Sequence, residues 1–306
     1  MSKNLTVKQS FLWILISTVI VSGSSFSIYF GILSWKKKQL KDHTLQIAAI
    51  IQTGPEKEAL PSQYLAELMH LSLDKKTNYY AFNEKKAEEN LLKSPFIKEA
   101  KVKKVRPNAV YVDYTKRSPI ALLIDYENVA IDEDGYVFPI EPFYQVENLV
   151  ELYLGLPPFN DPLDEQEREG ASYKKAIQCK HFALAKKILS LLSEKEFADR
   201  FTLKKIDVSK SYSPSFGQRE VVIALDENLE ITQKELTSTF ILPKYLRLNV
   251  KQYHQQLSNF LVLSQKMRND YRLQIHLTQD MPDIIRCKPK LLDFRIPQLA
   301  FIKENE

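Results

Sequence analysis

Charge is missing from one long stretch near the start of the chain. No Asp, Glu, Lys or Arg occurs between Lys8 and Lys36, and FLWILISTVIVSGSSFSIYFGIL fills the gap. A bilayer-crossing helix needs roughly 20 mostly apolar residues, so the pattern predicts a transmembrane helix over Phe11–Leu33. Residues 1–10 precede it as a tail, and a basic linker, 34–43, follows. Trp13 at one end, and Trp35 with Lys36, Lys37 and Lys38 at the other, suit the two membrane interfaces. The stretch also fits a cleaved signal peptide, with Ser22–Gly23–Ser24–Ser25 as its small-residue site. Apolar sequence resumes directly after those serines, which favours an uncleaved anchor. Counted by charge alone, Lys36, Lys37, Lys38 and Lys41 outweigh Lys3 and Lys8 and would put the large remainder in the cytoplasm.

Beyond the linker the periodicities change. Leu45–Gln52 reads as a short strand closed by Gly54–Pro55. Tyr64, Leu65, Leu68, Met69 and Leu71 share one helical face. Asn83 suits an N-cap, with Ala87, Leu91 and Leu92 inward and Lys86 and Glu89 solvated. Two strands follow, Ala100–Lys104 and Ala109–Thr115, the second with period-two alternation. Strand–helix–helix–strand–strand implies a three-stranded sheet with helices on one face, and this order bounds a first domain at 44–118.

From Pro119 strands dominate: Ile120–Tyr126, Val129–Ile131 and Val137–Ile140, the last pair joined at Asp134–Gly135. Residues 157–172 read as an acidic surface loop. Ala176–Leu192 is an amphipathic helix through Ile177, Phe182, Ala185, Ile188 and Leu192. Strands are expected at Leu203–Val208, Glu220–Leu225 and Leu229–Thr232, and a helix at Val250–Arg268. Strands at Arg272–Thr278 and Ile284–Cys287 come last. The fold class is α+β: a transmembrane helix, a β-α-α-β-β module, then a mainly antiparallel β domain with helices over 119–295 and a tail at 296–306.

Composition removes several function classes. With 44% hydrophobic and 26% charged residues, the remainder can build cores. The net charge of +5 is spread along the chain, with no basic reading element for nucleic acid. The seven glycines supply no phosphate-loop spacing, and no cofactor is expected. Cys179 and Cys287 match no zinc or redox pattern; a disulfide between them and two buried thiols both remain open. The histidines show no H-E-x-x-H spacing. S-x-x-K occurs at Ser34–Lys37, Ser72–Lys75 and Ser172–Lys175, but without S-D-N or K-T-G. No enzyme is expected.

The stretch Ser94–Phe138 carries a resemblance. Pro95, Phe96 and Ile97, then Ala100, Val102 and Lys104, then Pro107, lead into the alternation Val110, Val112, Tyr114. Arg117, Pro119 and Ala121 follow, then Asp132, Gly135, Val137 and Phe138. This series resembles the FtsQ/DivIB cell-division family, with Arg106 where that family favours Trp and Lys116 where it favours Glu. The resemblance implies a POTRA-like first domain and a scaffold that recruits and links division proteins. It also implies a single-pass protein of the bacterial cytoplasmic (inner) membrane at the septum, with a cytoplasmic N-terminus and a large extracytoplasmic part. That orientation opposes the charge count. Long translocated domains cross largely regardless of local charge. The implied partners are FtsB-like and FtsL-like small membrane coiled-coil proteins, met by edge-strand addition on the last strands. The corresponding region is expected at Leu273–Cys287, with Leu273, Ile275, Leu277, Ile284 and Ile285 as partner-binding positions, though these side chains also suit a core. Gly23, Ser27 and Gly31 form a small-residue stripe for helix packing in the membrane. The rival classes are a POTRA-bearing translocation or chaperone component and a membrane-anchored cell-envelope enzyme.

Overall fold

The apolar run forms one unbroken helix, α1 (Val7–Lys41). It is long and apolar enough to cross a membrane, and none of its apolar window is buried. The computed structural model describes residues 7–53, 59–72, 74, 76–144, 149–159, 171–233, 236–275 and 282–304. The chain divides into two compact units, residues 1–116 and 117–306. The linker expected at 34–43 is instead mostly helix.

In the first unit, β1 (Ala49–Thr53), α2 (Ser62–Leu68), α3 (Glu84–Leu92), β2 (Ile97–Val105) and β3 (Ala109–Lys116) follow α1 in the expected order. The sheet runs β1-β3-β2, with β1 parallel to β3 and β2 antiparallel to it. The first strand starts later than expected because His43–Leu45 is a 3₁₀ turn, whose Thr44 N–H donates to Asp42 Oδ1 at 2.9 Å. Asn83 does cap α3, accepting from Lys86 N at 3.2 Å. Ala87 and Leu91 are buried, but Leu92 is 50% exposed and Asn90 takes the inward position instead. Residues 87, 90 and 91 are three and four apart and share a face; Leu92 lies about 100° further round.

A half-buried pair of glutamates on α3 closes one sheet edge. Glu84 and Glu88 are one turn apart and so lie on one face. Glu88 accepts from Val102 N at 2.8 Å and Glu84 from Lys104 N at 2.7 Å. Those two N–H groups alternate away from β3, on the outer edge of β2. A bare edge of this kind is a template for pairing with another chain, and here two carboxylates occupy its donors.

The second unit is built on one sheet, ten-stranded among the described residues. Its strands are β4 (Ala121–Leu123), β5 (Val129–Ile131), β6 (Val137–Pro139), β7 (Val150–Tyr153), β8 (Phe201–Asp207), β9 (Val221–Gln233), β10 (Leu236–Leu248), β11 (Ile284–Arg286), β12 (Lys290–Asp293) and β13 (Phe301–Glu304). The order is β13-β12-β10-β9-β8-β7-β4-β5-β6, with β11 also pairing to β10. Antiparallel ladders dominate its length, led by the 13-residue β9–β10 hairpin. Helices α4 (Lys180–Leu192), α5 (Lys195–Ala198) and α6 (Tyr253–Gln274) complete the unit.

Several expectations change here. Helix α4 begins at Lys180, not Ala176, with the Cys179 sulfur accepting from Phe182 N at 3.4 Å. The strands expected at Glu220–Leu225 and Leu229–Thr232 are one strand, because Glu227 between them is buried and paired. Strands β7, β10, β12 and β13 were not expected, and β13 falls in the expected tail. The strand expected at Arg272–Thr278 begins as helix, since α6 runs through Gln274. Residues 160–170 of the expected acidic loop lie outside the described residues.

Alternate residues of the hairpin face the core: Val221, Ile223 and Leu225 of β9, and Leu246 and Leu248 of β10. They pack with Phe182, Ala185 and Ile188 of α4 and Leu257 and Phe260 of α6. The same row is then interrupted by Glu227 and Lys244, 0% and 3% exposed, which are ion-paired. Ser264 of α6 donates to Glu227 at 3.0 Å, and Arg200 and Arg268 approach its other oxygen at 3.6 and 3.9 Å. Burial pushes the Lys244 amine below its ordinary pKa, and Glu227 opposes that shift. Beyond this charged belt lies a second, smaller core of Leu229, Ile231, Phe240 and Leu242.

Two outcomes follow from these contacts. Glu84→Ala/Glu88→Ala bares the β2 edge and is expected to self-associate where the parent stays monodisperse, as read by sedimentation velocity. Lys244→Met strands a buried carboxylate and should cost about 3 kcal/mol in denaturant unfolding. A loss below 1 kcal/mol would refute the belt's role.

Candidate partner-binding edge

The motif residues shared with the resembled family gather where the second unit begins. Arg117 bonds Asp132 at 2.6 Å, with both side chains largely buried, and its guanidinium lies 4.1 Å from the centre of the Tyr136 ring. Asp132 Oδ1 also accepts from Asp134 N at 3.0 Å and Tyr136 N at 2.8 Å. Gly135 closes that turn at φ +88°, and a Cβ there would come within 2.8 Å of Ile177 O. Only glycine meets both demands cheaply. Pro119 lies two residues before the start of β4, where Ala121 is fully buried. This group ties a turn together and presents no contact surface.

The expected partner-binding residues separate into two kinds. Leu273 sits on the last turn of α6 and is 78% exposed, while Ile284 on β11 is 64% exposed. Ile275 and Ile285 pack on the smaller core instead. Ile275 O also accepts from Gln233 Nε2 at 2.9 Å. Leu277 lies outside the described residues. On α1, a Cβ at Gly23 or Gly31 would meet nothing within 4 Å, so that side of the helix is open. Cys179 and Cys287 are free thiols, and burial pushes the Cys287 thiol up.

Strand β11 holds β10 through Thr239 N to Asp283 O at 2.8 Å and Cys287 N to Ile241 O at 2.9 Å. Residues 283, 285 and 287 therefore face β10. By alternation the backbone groups of Ile284 and Arg286 face the other way. Among the described residues no strand lies on that outer side. Further along, β12 takes the place beside β10 and β13 covers β12. Pro243 marks the break. Ile241 turns its backbone toward β11 and Arg247 turns its own toward Phe294, so Pro243 faces the same side and has no N–H to give. Because β13 runs antiparallel to β12, its Glu304 end points toward β11.

An ion network braces the β12–β13 hairpin. Arg295 donates to Asp293 through Nε at 3.0 Å and Nη2 at 2.8 Å. Arg247 bonds Glu220 at 2.7 Å and reaches Asp293 at 3.4 Å. Burial alone would raise the Asp293 carboxyl; Arg295 and then Arg247 outweigh it and hold it below its ordinary value. Beside the hairpin, Gln252, Gln255, Gln256, Asn259 and Gln298 line a groove of about 420 Å³. Phe301 and Ile302 of β13 are 56% and 49% exposed.

This hairpin is what the sequence reading missed. Its signal in the sequence is an acid and an arginine two residues apart, Asp293 and Arg295, which pair just after β12.

Residues 60–117 match the family model of the POTRA domain, FtsQ-type. The chain is also 34% identical over 89 residues to the cell division protein FtsQ of Rickettsia typhi, covering 28% of this chain and 34% of that protein. It thus spans about a third of the length of the curated relative it matches.

The Asp293 carboxylate contributes stability above pH 3.8, its ordinary value, and that contribution is lost as pH falls through its lowered native value. Asp293→Asn should cost about 2 kcal/mol. It should also speed hydrogen exchange at 301–304 near neutral pH, where the parent is protected. Unchanged exchange in those residues would remove Asp293 from the hairpin's support.

Proposed function

From the FtsQ-type POTRA domain and the FtsQ relative, which together support the FtsQ/DivIB family, we propose that this protein is a cell-division scaffold of the bacterial inner membrane. Its large part lies outside the cytoplasm, and it recruits division proteins to the septum by contact, without chemistry of its own. The partners in this reading are FtsB-like and FtsL-like membrane coiled-coil proteins.

The observation that carries the reading is the outer side of β11. It offers the backbone groups of Ile284 and Arg286 together with an exposed Ile284 side chain, in line with the end of β13. Strand addition needs such an edge for main-chain bonds and side-chain positions of alternating direction for specificity. Ile275 and Ile285 then act as the floor beneath the edge, and Leu273 as a flanking apolar contact. Gly23, Ser27 and Gly31 give the anchor a face on which a second membrane helix can approach closely.

Ile284→Pro removes one outward donor while leaving the β10 bonds of Asp283 and Cys287 in place. It should reduce co-purification of the coiled-coil partners from dividing cells at least tenfold, with the protein still folded and membrane-bound. Full partner recovery from that variant would exclude the β11 edge. A diffuse membrane distribution of the unaltered protein in dividing cells would exclude the scaffold reading itself.

A further inference from the structure

The basic flank after the apolar run finds no use in partner binding, and it is the feature that opposes the expected orientation. In the structure it is helical. Lys36, Lys37 and Lys38 lie on α1 with exposed side chains. Successive residues step about 100° around a helix, so the three point in three directions and form a collar.

Their height can be estimated. At 1.5 Å per residue, Lys36 to Lys38 lie about 5 to 8 Å beyond Leu33 along the axis. The headgroup layer on each side of a bilayer is about 5 to 7 Å deep. The collar therefore sits in the outer part of the headgroup layer, and Gln39 to Lys41, about 9 to 12 Å out, lie just beyond it. Trp35, 59% exposed, lies where interfacial aromatics are favoured.

The helix end beyond that layer is held by the module that follows it. Asn78 Nδ2 donates to Gln39 O at 2.9 Å, and lies 3.3 Å from both Leu40 O and Asp42 O. Tyr79 N donates to Leu45 O at 2.8 Å and Ile47 N to Thr77 O at 3.0 Å, so the chain on both sides of the junction is paired. Asn78 Oδ1 accepts from Tyr80 N at 2.8 Å, which fixes the amide in its loop. A free helix terminus leaves its last carbonyls unsatisfied. Here one side chain of the POTRA-type module reaches Gln39 O and Leu40 O, with Asp42 N also donating to Gln39 O at 3.2 Å, and no slack chain separates module from anchor.

We propose that Trp35 and Lys36–Lys38 of α1 form a binding site for anionic phospholipid headgroups, set at a fixed height and angle by the Asn78 cap. The site rests on the single-pass membrane reading, and it does not depend on which leaflet it meets. Each juxtamembrane lysine is worth on the order of fivefold in affinity for an anionic surface.

The test uses full-length protein extracted into mixed micelles of phosphatidylglycerol and phosphatidylcholine, with retained lipid counted by native mass spectrometry. The parent should retain phosphatidylglycerol preferentially. Lys36→Gln/Lys37→Gln/Lys38→Gln should lose that preference by at least tenfold, and the matching triple Arg variant should keep it. Asn78→Ala should leave the charge in place but broaden the spin-label distance between Trp35→Cys and Tyr111→Cys. Equal lipid ratios for the parent and the Gln variant would overturn the headgroup site, and an unchanged distance distribution would overturn the fixed junction. Release of the parent protein from membranes by alkaline carbonate would instead count against the single-pass reading.

Discussion

Thirteen consecutive residue pairs join β9 to β10, from Val221 opposite Leu248 to Gln233 opposite Leu236. The rest of the second unit depends on that ladder. Strand β8 pairs along one side, β11 and β12 along the other, and α4 and α6 cover the face whose alternate residues form the larger core. Hydrophobic rows this long could be continuous, yet Glu227 and Lys244 interrupt them at the middle. Replacing a buried ion pair by apolar residues is often neutral or stabilising, so the pair is poorly explained as a source of stability. Its effect is to divide the packing: one core toward β8 and α4, and a smaller one beneath β11 and the end of α6.

That division also explains where the sequence was easy to read and where it was not. The first unit obeys simple rules. Asn83 caps, Val110 and Val112 alternate, and the element order needs no tertiary information. The resemblance through Arg117, Asp132 and Gly135 was legible for a related reason, since a turn demanding positive φ and a buried ion pair leave few residue choices. The long hairpin hid itself. Asp226–Glu227–Asn228 resembles a turn until Lys244, Arg200 and Arg268 are seen around it, and those lie far away in sequence. Pro243 and Lys244 likewise break the alternation that would have announced β10. Leu273 and Ile275 alternate as strand residues do, but α6 packing carries the helix through Gln274. The candidate edge was legible in its general location only. Its bracing residues, Asp293 and Arg295, become meaningful once Arg247 and Glu220 are brought beside them.

The two units treat exposed strand edges in opposite ways. In the POTRA-type module, side chains of α3 occupy the outward N–H groups of β2, a form of edge protection that needs no extra strand. In the second unit, β13 shields β12, but nothing among the described residues shields β11. Among the described residues β13 and β6, the end strands of that sheet, are likewise unpaired on their outer sides. The ion network around Asp293 then supports the hairpin that borders the open side.

Pro243 gives that open side a boundary. By withholding a single N–H it makes the pairing along β10 occur in two steps, so β11 and β12 are separate pieces and the sheet margin is notched. The notch is about three residues long and is stopped at one end by β13. An extended chain laid into it would meet β13, not an endless ledge. Strand pairing is prone to slip by two residues at a time, because every second position presents the same backbone pattern. A stop of this kind acts as a ruler: alignment is dictated by where the ledge finishes, and a short guest segment can be placed unambiguously even if its side chains say little.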